Sequence, residues 1–424
     1  MTTSPAKDTR AGRALAADCR RLLSVRGEAN GPAIAEGVVA RIAALDDAER
    51  LRFFEHLARD FNPDAQAVLK LAQAYAQHGD APSLIALAHA AEPPRQELFR
   101  RINRARGGTA ALVQLRAELL ERLPKQPGLL TVEADLLHLL SSWFNPGFLE
   151  LRRVDWNAPA QLLEQLIRHE AVHEIDGWDD LRRRLLPDRR CFAFFHPQLP
   201  NEPLIFVEVA LGPEMAGAIA PLIDKRSQPL PPEQFKTAVF YSISNCQPGL
   251  RGVSLGNFLI KRVADALKGE LPQLRTFCTL SPIPGLMGWL HRADFAPLGT
   301  AVAERAVLAL AQLRAACGDL HRLGQAATLA ALPPSAHHAL WRLAAIYLVY
   351  GAPQPSGDPV ARFHLDNGAR LERLNAQANL SAKGLKQSAG LMVNYLYDLG
   401  RIETYHERFA HGKVAHSRAL SALL

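Results

Sequence analysis

The segment from residue 247 to residue 257 has the residue types and spacing that most clearly suggest chemistry. Its three glycines come after an apolar, β-branched run over Thr237–Ser244 and before a stretch whose apolar residues repeat at helical spacing. This order predicts a strand, a tight loop and a helix that opens at Gly256. Because the N-terminus of a helix offers free backbone N–H groups, the loop is a candidate anion site, and phosphate is the first ligand it suggests.

A second interpretation of the same loop is a serine nucleophile. Residues 252–256 form a G-x-S-x-G pattern, in which Ser254 would stand on the nucleophile elbow of an α/β-hydrolase. That elbow needs its serine on a sharp turn directly after a strand, whereas residues 245–253 intervene here and include Pro248. The spacing therefore favours the phosphate loop, and a serine hydrolase is the weaker alternative.

A third pattern, H-E-x-x-H over His169–His173, could indicate zinc. On a helix it would place two imidazoles on one face, with Glu170 as a general base. Glu174 and Asp176 lie too close to serve as the usual third ligand, and Gly177 soon ends the segment. We therefore disfavour a zinc protease and interpret the histidines as surface residues of a helix.

Two further residues could do acid–base chemistry. Ser281 begins the segment Ser-Pro-Ile-Pro-Gly, in which two prolines fix the backbone, so its hydroxyl could contact an acyl group or cap the following helix. His364 lies between Phe363 and Leu365 in a segment that we interpret as extended, with the next helix beginning at Gly368. On its own such a histidine is more typical of a core than of a catalytic site.

Composition places the chain among ordinary globular proteins. It has 424 residues, of which 48% are apolar and 21% charged, and this length suits two domains. The net charge of +7 is mild and spread along the chain, which suits a polyanionic small ligand or a plain solvated surface. No long basic run indicates nucleic acid, and no apolar run approaches the roughly 18–20 residues of a membrane span.

The cysteines and the chain ends favour the cytoplasm. The five cysteines form no C-x-x-C pair and are odd in number, which fits a reducing compartment. The Arg-rich start contains Asp8 and Asp18, which argues against a transit peptide. Residues 421–424 are not a peroxisomal signal. We therefore expect a cytoplasmic location.

The character of the chain changes near residue 140. From about residue 11 to 140, Ala and Leu recur at helical spacing between Gly- and Pro-containing breaks, as in Thr109–Leu123, whose polar residues such as Arg116 we expect to face solvent. Beyond Trp143 predicted strands and helices are mixed. We predict an α+β protein with an all-helical domain for packing or assembly over residues 1–140, followed by an α/β domain over residues 141–424.

Two resemblances make these expectations more specific. Arg251–Gly256 resembles the pyrophosphate loop of GNAT-type acyl-CoA folds, with Ser254 in place of the usual first glycine. The surrounding blocks resemble the malonyl-CoA decarboxylase family in the right order and spacing: Ser141–Phe144, Phe240–Ser244, Phe258–Val263, Leu280–Gly285, Phe363–Ala369 and Gly390–Tyr397. The domain over residues 141–424 is accordingly expected to be GNAT-type.

The family resemblance implies a reaction and a set of residues. Malonyl-CoA would lose CO2 to give acetyl-CoA through a thioester enolate, with Ser281 and His364 as the catalytic pair, Tyr397 nearby and no cofactor or metal. The loop would hold the substrate through its diphosphate, with charge from Arg251 or Lys261; its residues are Arg251, Gly252, Val253, Ser254, Leu255, Gly256 and Asn257.

The same resemblance implies a homo-oligomer, and we expect neither nucleic acid nor a membrane as a partner. Two other functions stay open at this point. An acyl-CoA N-acyltransferase on the same fold would need an amine acceptor, and a non-catalytic CoA-binding protein would release no product.

Overall fold

The computed structural model describes residues 9–253, 255 and 259–424. The chain divides into two compact units. The first contains the chain up to Glu150 together with residues 195–203 and 247–255, and the second contains the remainder. Two short segments from later in the sequence therefore belong to the first unit.

The first unit is helical, as its Ala- and Leu-rich periodicity predicted. Asp46 shows how one of the helices begins, because its carboxylate accepts the N–H of Glu49 while the Glu49 side chain accepts the N–H of Asp46. Apolar stripes of most of these helices meet in one core, to which Phe54, Leu98 and Leu136 belong. The helices are α1 (Arg10–Leu23), α2 (Val25–Ala29), α3 (Gly31–Ala44), α4 (Asp47–Asp60), α5 (Ala65–His78), α6 (Ala81–Ala91), α7 (Pro94–Asn103), α8 (Gly108–Arg122) and α9 (Leu130–Trp143).

The second unit is built around a mixed sheet with helices packed against it. Its strands are β1 (Glu150–Val154), β2 (Arg189–Phe195), β3 (Ile205–Gly212), β4 (Thr237–Asn245), β5 (Thr276–Thr279), β6 (Ser281–Pro282), β7 (Arg370–Asn375) and β8 (Met392–Leu396). Its helices are α10 (Ala160–His169), α11 (Gly177–Arg184), α12 (Ala220–Ile223), α13 (Leu259–Glu270), α14 (Leu286–Arg292), α15 (Thr300–Cys317), α16 (Ala326–Ala331), α17 (Pro334–Ile346), α18 (Pro359–Asp366), α19 (Ala382–Ser388), α20 (Ile402–Ala410) and α21 (Arg418–Ser421). The predicted fold class, a helical part followed by a mixed α/β part, is confirmed.

The middle of the sheet contains the feature that matters for function. Strand β4 pairs antiparallel with β3 from Thr237 to Asn245, with a bulge at Tyr241, but it pairs in parallel with β5 only from Thr237 to Phe240. After Thr279, the segment that follows β5 no longer pairs with β4, and Ser281 pairs with Val393 of β8 instead. The two central strands therefore separate, and the sheet opens beyond Phe240.

The interpretation of His364 as extended, with a helix at Gly368, is wrong. His364 lies in α18, and the segment after Gly368 is strand β7. The helix begins where it does because Asp358 accepts the N–H groups of the first turn and Pro359 fits the first helical position. Gly368, with φ of 77°, takes the left-handed conformation that ends a helix rather than beginning one.

The interpretation of His169–His173 as a helical surface is also wrong. Helix α10 ends at His169, so the two histidines do not share a helix face. Glu170 and His173 are buried. Within the described ranges, no group of three His, Cys, Asp or Glu side chains could hold a metal ion.

Two further properties concern the cysteines and the membrane. All five cysteines are buried free thiols, and burial raises the pKa of Cys19 and of Cys278 to about 12. In the part of the chain that the structure covers, no helix has the length and apolar character needed to cross a membrane.

Candidate active site

The candidate site is a cavity at the place where β4 and β5 separate. Its volume is about 330 Å³, within the roughly 300–1,000 Å³ of small-molecule sites. The continuing part of β4 forms one wall, and residues of β6 and α18 form another. Polar groups are few in this lining, and they include Ser242, Asn245, Ser281 and His364.

Three of the residues singled out in the sequence are connected by hydrogen bonds at this cavity. Ser281 Oγ lies 2.9 Å from His364 Nε2, and His364 Nδ1 lies 2.9 Å from the hydroxyl of Tyr397. All three residues are buried. They come from β6, from α18 and from the residue that follows β8, so their proximity depends entirely on the tertiary fold.

The hydrogen-bond directions follow from counting protons. Ser281 donates its single hydroxyl proton to Thr279 Oγ1 at 2.9 Å, so it must accept from His364 Nε2. The other ring nitrogen then accepts from the Tyr397 hydroxyl. Burial lowers the pKa of His364 to about 3, because the surroundings disfavour the imidazolium. At neutral pH the ring is therefore neutral and presents an N–H towards Ser281.

A buried carboxylate holds the two halves of this arrangement together. Asp358 Oδ1 accepts the N–H groups of Val360 and Ala361 at the start of α18, and its Oδ2 accepts the N–H of Gly285 at 2.9 Å. One side chain thus connects the helix that carries His364 to the segment that begins with Ser281. Burial raises the pKa of Asp358, although the three N–H donors act in the opposite direction.

A second buried carboxylate lies behind the β4 wall. Glu170 accepts the hydroxyl of Ser242 at 2.7 and 2.6 Å, and the hydroxyl of Ser244 at 3.2 Å. It also accepts the backbone N–H groups of Val172 and His173 at 2.8 and 2.7 Å. Val172 and Ser242 both line the cavity, so Glu170 fixes two pieces of its wall.

The proposed phosphate loop lies only partly within the described residues. Arg251 and Gly252 are exposed, and Gly252 has φ of 82°, a conformation that favours glycine. Val253 and Leu255 are buried. Ser254, Gly256 and Asn257 lie outside the described residues.

Arg116 holds the start of this loop, contrary to the expectation that it would face solvent. Its side chain is 1% exposed; it pairs with Glu133 at 2.6 Å and donates to the carbonyl of Gly249 at 2.6 Å. Gly249 packs so closely on α8 that a Cβ there would collide with the carbonyl oxygen of Val113. The two terminal nitrogens of the buried guanidinium thus have one charged and one neutral acceptor, whereas its Nε is buried without a hydrogen-bond partner among the described residues.

Sequence reasoning missed three residues of these networks. Glu170 was considered only as part of an H-E-x-x-H pattern that we disfavoured as a zinc site, whereas its neighbours in the fold are the hydroxyls of β4. Asp358 carried a readable signal, because Asp before Pro is a common start of a helix. Arg116 carried none, since a polar residue on an amphipathic helix is usually exposed.

The site has a neutral imidazole between a serine and a tyrosine, at a cavity inside an opened α/β sheet. This arrangement is typical of an enzyme that moves protons on a bound ligand. Comparison with known families is more specific. Residues 147–424 match the malonyl-CoA decarboxylase C-terminal domain, and residues 61–144 match the malonyl-CoA decarboxylase N-terminal domain. The chain belongs to the malonyl-CoA decarboxylase family.

Individual relatives agree along most of the chain. The chain is 37% identical over 403 residues to the mitochondrial malonyl-CoA decarboxylase of Rattus norvegicus, covering 87% of this chain and 81% of the relative. The solved malonyl-CoA decarboxylase of Rhodopseudomonas palustris is 47% identical, with a TM-score of 0.87 over 98% of this chain and 100% of that one. The enzyme of Agrobacterium vitis is 46% identical, with a TM-score of 0.83 over 97% and 99%.

Proposed function

We propose that this protein decarboxylates malonyl-CoA to acetyl-CoA and CO2, with Ser281 and His364 as the catalytic pair and Tyr397 behind them. The observation that carries the proposal is the 2.9 Å contact between Ser281 and His364 in the lining of one cavity. Family membership supports the choice of substrate.

The reaction suits a site with this content. When the bond to the carboxylate stands perpendicular to the thioester plane, its electron pair passes into the thioester carbonyl and CO2 leaves. The thioester is itself the electron acceptor, so the protein needs to supply orientation, a hydrogen-bond donor at the enolate and one proton. The apolar side chains of the lining, such as Phe363 and Val172, reduce solvation of the carboxylate that departs.

The neutral form of His364 fits this task. When substrate is bound, the Nε2–H of His364 turns from Ser281 to the enolate oxygen, while Ser281 orients the carboxylate or relays a proton from solvent to carbon. Tyr397 donates to Nδ1 and holds the ring in the tautomer whose proton faces Ser281. Ser281→Ala separates the two roles of the serine. Loss of orientation raises KM, whereas loss of the relay lowers kcat and changes the solvent isotope effect.

In this proposal the loop Arg251–Asn257 binds the diphosphate of CoA through backbone N–H groups. Arg251 adds charge, and its exposure leaves the guanidinium available to a ligand. Lys261, which lies 3.7 Å from Glu403, adds a second positive charge at the start of α13. Arg251→Ala should raise KM for malonyl-CoA more than it lowers kcat.

One product assay tests the proposal. Purified protein with malonyl-CoA and no amine should release acetyl-CoA and CO2, and His364→Ala should reduce this release at least a hundredfold. His338→Ala, which removes an exposed histidine, is the matched control and should keep wild-type turnover. Free CoA as the product would instead indicate a hydrolase, and a requirement for an amine would indicate an N-acyltransferase. Wild-type turnover by His364→Ala would refute the mechanism.

We also propose that residues 1–140 form an assembly domain, that residues 141–424 form the GNAT-type catalytic domain, and that the protein acts as a cytoplasmic homo-oligomer. The exposed apolar side chains of Leu69, Leu84 and Ile85 on α5 and α6 support assembly. The buried free thiols support a reducing compartment. Sedimentation analysis should give a molecular mass larger than that of one chain. Ile85→Glu should lower this mass and leave kcat unchanged. Cell fractionation tests the location, because the Rattus norvegicus relative is mitochondrial.

A further inference from the structure

Thr279 is a buried threonine whose side chain contacts the proposed catalytic serine. It is the last residue of β5, two positions before Ser281, and it is 0% exposed. Side chains alternate along a strand, and Cys278 and Leu280, on either side of Thr279, both belong to one apolar cluster. Thr279 and Ser281 lie on the other face, where Ser281 Oγ donates to Thr279 Oγ1 at 2.9 Å.

Thr279 is itself fixed by strand β8. Its Oγ1 accepts the backbone N–H of Tyr395 at 3.2 Å, and its carbonyl accepts the side-chain amide of Asn394 at 2.7 Å. Asn394 is fully buried. Because both donors come from consecutive residues of one strand, the sheet defines the position of the threonine oxygen.

The Ser281 hydroxyl depends on this oxygen for its own position. Within the described ranges it has two hydrogen-bond partners, Thr279 Oγ1 and His364 Nε2. The proposed reaction removes the second partner, because the Nε2–H turns to the enolate oxygen when substrate is bound. A serine side chain can otherwise rotate among three staggered positions. The contact with Thr279 therefore keeps Ser281 Oγ beside the reacting atoms during the reaction.

A hydroxyl suits this task better than a group that can only accept. Thr279 accepts the Ser281 proton in the free protein. A hydroxyl can also donate, so Thr279 can keep its bond to Ser281 Oγ when the serine turns its own proton towards the ligand. A carbonyl oxygen in the same place would compete for that proton throughout the reaction.

We propose that Thr279 is a positioning residue that acts through Ser281: its hydroxyl holds Ser281 Oγ in place while His364 is engaged with the enolate. This inference rests on the proposed function. It gives Thr279 no contact with the substrate. Loss of the hydroxyl should therefore lower kcat and leave KM almost unchanged.

The first test compares two substitutions of Thr279 in the release of CO2 from malonyl-CoA labelled in its carboxylate. Thr279→Val keeps the shape of the side chain and removes the hydroxyl. Its kcat should fall roughly three- to tenfold, the value of one neutral hydrogen bond, while KM changes less than about twofold. Thr279→Ser keeps the hydroxyl and should retain kcat within about twofold of the wild type.

Thr237→Val is the matched control. Thr237 is also a buried threonine of the same sheet, and its hydroxyl donates to the carbonyl of Pro213 at 3.4 Å. It does not line the cavity or contact the catalytic pair. This variant should keep the wild-type kcat. If Thr279→Val does not fold, Thr279→Ala removes the hydroxyl with a smaller side chain and takes its place.

A double-mutant cycle with Ser281→Ala separates the positioning role from a structural one. Thr279→Val also leaves the N–H of Tyr395 without its acceptor, and the Tyr395 ring stacks on His364 with centroids 4.6 Å apart. A structural loss of this kind would lower the rate by the same factor with or without the Ser281 hydroxyl. If Thr279 acts through Ser281, Thr279→Val should change the residual rate of Ser281→Ala by less than about twofold.

The outcomes that contradict the inference are distinct from failure of the proposed function. Equal losses in the two backgrounds, or a wild-type kcat in Thr279→Val, would overturn the inference while decarboxylation itself stands. Thr279→Ser as impaired as Thr279→Val would also overturn it. If the wild type releases no CO2 from malonyl-CoA, the proposed function fails and the inference falls with it.

Discussion

Asp358 is the most informative residue to change, because its carboxylate connects the two halves of the catalytic pair. It accepts two N–H groups at the start of α18, which carries His364, and one from Gly285, at the end of the segment that begins with Ser281. Asp358→Asn keeps the size of the side chain. It keeps one acceptor for the helix but places an NH2 group against the N–H of Gly285.

The expected magnitude follows from these contacts. Leaving one buried N–H without an acceptor costs about 1–3 kcal/mol, so the free energy of unfolding should fall by about that amount. The Ser281 segment would then shift relative to α18, and a displacement of about 1 Å between reacting groups can cost about a hundredfold in rate. We expect kcat to fall about ten- to a hundredfold, while KM changes less than about twofold, because the groups that bind the CoA part are untouched.

The assay is steady-state release of CO2 from malonyl-CoA, with urea unfolding of the same preparations. Asp319→Asn is the control, because Asp319 is an exposed residue that caps a short helical turn by accepting the N–H of His321. It should leave kcat unchanged. If Asp358→Asn loses stability but keeps wild-type kcat, Asp358 has no role in placing the catalytic pair and the reasoning is refuted.

Three further predictions concern the same networks. Burial lowers the pKa of His364 to about 3 in the folded protein, whereas the ring in the unfolded chain takes up a proton below about pH 6.5. The free energy of unfolding should therefore decrease as pH falls from about 6.5 to about 3, by up to about 1.4 kcal/mol per pH unit. In urea unfolding at several pH values, His364→Gln should show a smaller change in this free energy per pH unit. Gly285→Ala would place a Cβ against the Tyr347 hydroxyl, so Tm and CO2 release should both drop, and a second change, Tyr347→Phe, should restore part of the Tm. Gly249→Ala would place a Cβ against a backbone carbonyl of α8, so its Tm should drop by more than that of Gly128→Ala, where a Cβ has open space.

The elements that the sequence predicted well are those with local signals. The strand Thr237–Ser244 was predicted almost to its ends, because β-branched and aromatic residues fill it and a Pro- and Gly-containing loop follows. The grouping of Ser281, His364 and Tyr397 came from the family resemblance alone. No periodicity indicates that residues more than a hundred positions apart meet in one hydrogen-bonded chain.

The residues of the site that sequence reasoning missed share a physical property. Glu170, Arg116 and Asp358 are charged residues of a kind normally excluded from a protein interior, and each is stabilised there by donors or acceptors from distant parts of the chain. Those partners cannot be inferred from neighbouring positions in the chain. A local pattern such as H-E-x-x-H therefore suggested a chemistry that the tertiary contacts of Glu170 replace with a structural one.

Because β4 and β5 separate part-way along the sheet, a bound ligand should also stabilise this part of the fold. A strand that loses its neighbour part-way has main-chain groups that an extended molecule can pair with, and the arm of CoA carries amides at intervals of that kind. A bound thioester would then act as a temporary extra strand. Amide hydrogens from Tyr241 to Ile243 should exchange with deuterium more slowly when a non-reactive acyl-CoA is bound, and the protein should melt at a higher temperature in its presence.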